Sequence, residues 1–202
     1  MIPAGSGRAA LGTAKASALF LRRGVSNPQQ ICSVMPSSPF VGRAMVRAIA
    51  NRPAETVVEL GAGTGPVTRE LLASGIPRDR LVLVELDRRL AAFLRSTFSG
   101  IEVVNAPAQT LAAVWQRDGR PKVGGVVSTL PLRIFDPETV DAVLRSAFEI
   151  LAPNGCFVQF TYRFVSPVAQ DTIERFGLVA RRSEIVWANL PPASIWVYSR
   201  AQ

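Results

Sequence analysis

"VELGAGTGPVTREL" fills residues 58–71, and the fold follows from how it is read. The run TVVELG at 56–61 has the length and β-branched content of a buried strand. It breaks into Gly61, Gly63 and Gly65, and Pro66 then opens an amphipathic stretch, 66–74, that Gly75 closes. Proline at the first helical position and glycine just past the last mark a helix. The segment is therefore a strand, a glycine loop and a helix. Glycines in that loop let the backbone turn tightly and lie close against a ligand.

Outward from this unit, strand-like and helix-like segments keep alternating, with no internal repeat. LVLVEL (81–86), IEVVN (101–105) and VGGVVST (123–129) read as strands; RRLAAFLRSTF (88–98) and AQTLAAVWQRD (108–118) read as helices. Asp136 is placed to cap a further helix with Pro137 at its first position, and Val140, Val143, Leu144, Ala147, Phe148 and Leu151 share one face of it. A Pro-Asn-Gly turn at 153–155 leads into CFVQFTY (156–162). LVARRSEIVWA (178–188) and SIWVYSR (194–200) follow around NLPP with no helix between them, so they are expected as an antiparallel pair at one edge. Upstream, FVGRAMVRAIAN (40–51) reads as a helix. The pattern predicts an α/β fold: a Rossmann-like, seven-stranded, mostly parallel sheet covered on both faces, with an antiparallel C-terminal edge.

The chain has 202 residues, 48% hydrophobic and 19% charged, enough for one domain with a full core. Residues 1–35 differ in character from 36–202. Leu11, Ala14, Ala18 and Leu21 recur at 3-4-3 spacing, and Arg8, Lys15 and Arg22 recur every seven. On a helix the basic stripe borders the apolar one, which suits either a membrane interface or packing. A Pro/Ser-rich connection, 26–39, follows. The net charge of +8 favours anionic partners and leaves nucleic acid and acidic membrane both open. Histidine is absent, which excludes Ser-His-Asp chemistry and histidine metal sites. Cys32 and Cys156 are far apart with no metal-ligand spacing, so no metal is expected. No stretch approaches a membrane span and no secretory signal is expected, which points to the cytosolic side.

The third glycine of the loop comes one residue earlier than in G-x-G-x-x-G, and Glu59 stands two places before the first. That arrangement resembles S-adenosylmethionine methyltransferases of class I. The resemblance implies that Glu59 meets the ammonium of the methionine moiety over a cradle of Gly61, Ala62, Gly63, Thr64 and Gly65. It implies that Glu85, at the end of the second strand with Leu86 beside it, accepts from the ribose hydroxyls. After strand three the family's adenine-facing acid is replaced by Pro107, leaving Ala106 and Ala108 as backbone contacts. Ser128 and Leu130 would close the site. The plain alternatives are a strand-to-helix turn for the loop and a solvated strand-end charge for Glu85.

Two acceptors suit a basic chain. Ribosomal RNA adenine dimethylases carry an Asn/Asp-Pro-Pro/Leu-Pro-aromatic motif after strand four, whose aromatic stacks on the flipped base. Here the stretch is Ser128-Thr129-Leu130-Pro131-Leu132, with leucine in the ring's place. The stretches 20–39, 58–71, 81–87, 126–132, 157–162, 165–167 and 189–198 resemble the bacterial phospholipid N-methyltransferases instead. That resemblance implies stepwise methylation of phosphatidylethanolamine towards phosphatidylcholine. An ammonium acceptor must first lose a proton, at roughly 4 kcal/mol for a lysine-like amine at neutral pH. On this reading Tyr162 orients the amine and tolerates methylammonium by cation–π contact. Ser128 is a second catalytic candidate, Trp187 assists from strand six, and Arg133 and Arg163 meet the lipid phosphate. Arg8, Lys15, Phe20, Leu21, Arg22 and Arg23 would hold the N-terminal segment on an anionic membrane. A monomer, peripheral on the inner face of the cytoplasmic membrane and without nucleic acid, is expected. The alternatives are an RNA adenine N-methyltransferase and a non-catalytic membrane-binding protein of the same fold.

Overall fold

The structure, a computed structural model, describes residues 38–50 and 56–201. The chain divides into two units, Met1–Pro36 and Ser37–Gln202, and the fold below is that of the second. The basic segment 1–35, with Arg8, Lys15, Phe20, Leu21, Arg22 and Arg23, lies outside the described residues.

Helix α1 (Pro39–Ile49) is capped by the Ser38 hydroxyl, which accepts from the Val41 N–H. The alternation then runs β1 (Val57–Leu60), α2 (Pro66–Ala73), β2 (Leu81–Val84), α3 (Arg88–Thr97), β3 (Glu102–Val104), α4 (Leu111–Arg117) and β4 (Val123–Ser128). It continues through α5 (Pro137–Ile150), β5 (Leu151–Thr161), α6 (Gln170–Arg175), β6 (Leu178–Val186) and β7 (Ala193–Arg200). Asp136 caps α5 as its sequence predicts, accepting the Thr139 N–H at 2.8 Å.

The strands form one sheet in the order β3-β2-β1-β4-β5-β7-β6. Strands β1 to β5 are parallel, and β7 is antiparallel to both β5 and β6. The C-terminal pair is antiparallel as expected, with the last strand in sequence lying inside the sheet and β6 forming the edge. The Pro-Asn-Gly turn expected at 153–155 is instead taken up within β5. Val123 pairs with Leu151 and Gly125 with Cys156, so the extra residues bulge out while the strand carries on.

Side chains alternate across the sheet, and each set meets helices. Val58, Leu60, Val82, Val84 and Val126 pack with α4, α5 and α6. Val57, Leu81, Leu83, Val103, Val127 and Val158 pack with α1, α2 and α3. Burial on both faces is why β1 and β2 are unbroken apolar runs apart from Glu59. An acid in the middle of such a run is costly unless it has a use.

Candidate active site

The parallel strands β1, β2, β3 and β4 all end at the carboxyl edge of the sheet, the edge at which open α/β folds bind ligands. The glycine loop after β1 lies there. Gly61, Gly63 and Gly65 all have positive φ, at 75°, 58° and 78°. A Cβ on Gly61 would stand 2.9 Å from Leu130 Cδ2, and one on Gly65 would stand 2.3 Å from the Phe98 ring. The Gly61 and Ala62 N–H groups both donate to Val84 O, at 2.8 and 3.3 Å, so the loop is tied to the exit of β2.

Glu59 is fully buried. Its Oε2 accepts from the Thr68 hydroxyl at 2.6 Å, while its Oε1 is buried with no partner. Burial raises its carboxyl to about 8, against the lowering effect of Thr68. An unpartnered carboxyl oxygen at the end of β1, just before the glycine loop, can receive a cation once it is ionised. Thr68 was not anticipated from sequence; its signal is a polar residue between Val67 and Leu71 on the inward face of α2.

Glu85 is held from two sides. Gly63 N–H donates to Oε2 and Asp87 N–H to Oε1, each at 2.9 Å. Burial pushes its carboxyl up, and the backbone groups of Gly63 and Leu86 pull it partly back. Each oxygen keeps acceptor capacity for a further donor such as a ribose hydroxyl. Leu86, beside it, is exposed. Asn105 donates through Nδ2 to Glu85 O and Leu86 O, at 2.8 and 3.0 Å, and fastens the exits of β2 and β3 together. Pro107 is exposed and Ala106 half-buried. Ala108 is buried, and its N–H donates to no backbone carbonyl among the described residues.

The lip after β4 is also fixed from behind. Thr129 Oγ1 donates to Gly61 O at 2.7 Å, joining the lip to the loop. Gln159 Nε2 donates to Leu130 O at 2.9 Å and to Phe160 O at 2.8 Å. Sequence reasoning missed Gln159, a polar residue within a buried strand and itself 1% exposed. Ser128, expected to contact cofactor or acceptor, is fully buried, and its hydroxyl accepts the Leu130 N–H at 3.3 Å. Its hydroxyl therefore supports the lip as an acceptor and keeps its own O–H as a donor. Leu132 is buried in the core, only 2% exposed.

Tyr162 follows the last residue of β5. It is half-buried, lies edge-on to Phe160 at 5.4 Å, and its hydroxyl titrates higher than an ordinary tyrosine because of burial. Arg133 and Arg163 are exposed on the loops leaving β4 and β5. Trp187 lies one residue beyond β6 and is 69% exposed, its ring tilted 40° against Phe164 with centroids 5.9 Å apart. It is a turn residue and not the strand residue expected.

The residues present fit S-adenosylmethionine. Glu59 Oε1 and its cradle would hold the ammonium end, Glu85 the ribose, and Leu86 with the Ala106–Ala108 backbone the adenine. When bound, the cofactor supplies a methyl group on a sulfonium. This sheet and this edge define a class I, S-adenosylmethionine-dependent methyltransferase. A methyltransferase-domain family model matches residues 57–155. An ornithine lipid N-methyltransferase of Singulisphaera acidiphila is 36% identical over 185 residues, covering 88% of this chain and 93% of that protein. The chain belongs to the methyltransferase family that contains this enzyme. A ribosomal RNA small subunit methyltransferase A of Anaeromyxobacter dehalogenans is 32% identical over 168 residues, and the match covers 75% of this chain but 56% of that protein. Among solved structures, an N1-methyltransferase of Burkholderia thailandensis acting on 1,6-didemethyltoxoflavin aligns with a TM-score of 0.64 at 16% identity. That match covers 100% of this chain and 93% of that one, a likeness of fold.

Proposed function

We propose that this methyltransferase transfers methyl groups to the amine of a membrane aminolipid, either an ornithine-type lipid or phosphatidylethanolamine on the way to phosphatidylcholine. The observation that carries this reading is the near full-length match to an ornithine lipid N-methyltransferase. The lip agrees with it. Leu132 occupies the position where an RNA adenine dimethylase carries its stacking ring, and it is sealed in the core. Thr129, next to Leu130, spends its hydroxyl on Gly61 O.

In-line displacement at a methyl group asks mainly for alignment and a dry site. Glu59 and Glu85 fix one end of the reaction axis. Gln159, Thr129 and Ser128 fix the lip at the other. Tyr162 offers a hydroxyl with no hydrogen-bond partner among the described residues, available to orient an amine, and a ring face suited to methylammonium. Arg133 and Arg163, both exposed, would meet an anionic head group. The enzyme works as a monomer on the inner face of the cytoplasmic membrane, and residues 1–35 add an interfacial anchor.

Labelled S-adenosylmethionine, offered with vesicles of ornithine lipid, vesicles of phosphatidylethanolamine and small-subunit ribosomal RNA in parallel, tests this. Label in one or both lipids supports the reading. Label in RNA alone refutes it.

A further inference from the structure

Among the large apolar side chains that stand in solvent at the carboxyl edge of the sheet, four lie beyond β5 and β6: Phe164 at 50%, Val165 at 58%, Trp187 at 69% and Leu190 at 87% exposure. They belong to two loops that the topology makes neighbours. β5 exits beside the start of β7, with Thr161 opposite Ser194, and β6 ends against the same strand, with Val186 opposite Ala193. The Phe164 and Trp187 rings touch across the gap, and Arg182 donates to Phe164 O at 2.9 Å.

The exposure is built in. Asn189, 6% exposed, is the inward residue of the second loop: its N–H donates to Val186 O and its Nδ2 to Pro191 O. With Asn189 turned in, Trp187 and Leu190 are held out. In the first loop, Ser166 is locked to Val168 and to the buried Tyr198 hydroxyl at 2.8 Å, directly behind Phe164 and Val165.

Charge selects the partner. The loops leaving β5 and β6, residues 162–169 and 187–192, contain no carboxylate and contain Arg163; the loop leaving β4, residues 129–136, adds Arg133 and one carboxylate, Asp136, which is spent on capping α5. Both arginines are exposed. Apolar tips rimmed by cations suit an anionic bilayer, in which rings and aliphatic groups enter the interface and guanidinium groups meet phosphate. Tyr162, which orients the amine on the reading above, stands at the base of the first loop, directly after β5.

We propose that Phe164, Val165, Trp187 and Leu190 form a docking surface that seats the acceptor side of the pocket on the head-group layer of an anionic membrane. It rests on the lipid-amine reading and adds where the bilayer touches. Of the three tryptophans, Trp115 is 3% exposed and Trp196 has its indole N–H buried, which makes Trp187 a reporter in the full chain.

The test adds phosphatidylglycerol-containing vesicles with brominated acyl chains to the wild type and to a Val165→Ser/Leu190→Ser double variant. Both substituted side chains are exposed, and unchanged adenosylhomocysteine affinity verifies the fold. The wild type should show blue-shifted emission quenched by bromine, and the double variant should partition about tenfold less or weaker. Methyl transfer to aminolipid in those vesicles should fall in step. A double variant that binds and methylates vesicles like the wild type overturns the docking surface, as does a wild type whose tryptophan emission ignores vesicles. A wild-type dimer in sedimentation that the double variant abolishes assigns the patch to a second copy and also overturns it. Wild-type failure to methylate aminolipid in detergent micelles and vesicles alike overturns the lipid reading itself.

Discussion

Cofactor affinity should depend on pH through Glu59, and the dependence has a calculable size. With its carboxyl raised to about 8 by burial, Glu59 is mostly neutral at pH 6 to 7 in the free enzyme. The buried, unpartnered Oε1 can hold an ammonium only once the proton has left. Below pH 8, binding therefore carries an ionisation cost of about 1.4 kcal/mol per pH unit. Between pH 6 and pH 7.5 the dissociation constant of adenosylhomocysteine should fall about 25-fold. Calorimetry at pH 7 in buffers of different ionisation enthalpy should record release of close to one proton. Glu59→Gln should bind more weakly and lose the pH dependence. A wild-type constant that stays flat from pH 6 to 7.5, with no proton release, would refute the reasoning: the carboxyl would then be ionised before binding. Stability moves the other way in the cofactor-free protein. A folded pKa raised above the ordinary value contributes stability below about pH 4.5 that is lost as pH rises through 8. Wild type should lose about 2.5 kcal/mol relative to Glu59→Gln between pH 5 and pH 7, read by urea denaturation.

Three further outcomes follow from the packing. Gly65→Ala forces a Cβ against the buried Phe98 ring at positive φ and should cost roughly 2–4 kcal/mol, seen as a lowered Tm. Gln159→Leu releases Leu130 O and should cut methyl transfer about tenfold, with a smaller loss of adenosylhomocysteine affinity through the lip's tie to the glycine loop. Tyr162→Phe should lower turnover roughly tenfold while adenosylhomocysteine binding holds; unchanged turnover removes the hydroxyl from the chemistry.

The sequence carried the cofactor half far better than the acceptor half, for a physical reason. Strands buried on both faces must be apolar runs, so VVEL and LVLV announce themselves, and an acid such as Glu59 inside one stands out. Asp136 and Pro137 fix the start of α5 through local bonding alone. Other features depend on partners distant in sequence. Nothing local in residues 193–200 says that β7 enters between β5 and β6. Gln159 shows its role only when Leu130, 29 residues earlier, is beside it. Ser128 reads as a free hydroxyl until the Leu130 N–H is found against it. The six residues of α6 are too few to display a helical period.

The glycine loop and the turn at Trp187 put opposite constraints on change. A side chain added at Gly61 or Gly65 collides with Leu130 or Phe98, so the donor half accepts almost no substitution. The turn 187–192 needs only Asn189 facing inward, while Trp187, Ala188, Leu190 and Pro191 are exposed. The proposed docking surface can thus be altered by exchanging exposed residues on one hairpin, at little cost to folding. The fold keeps a fixed reagent holder beside a replaceable fitting.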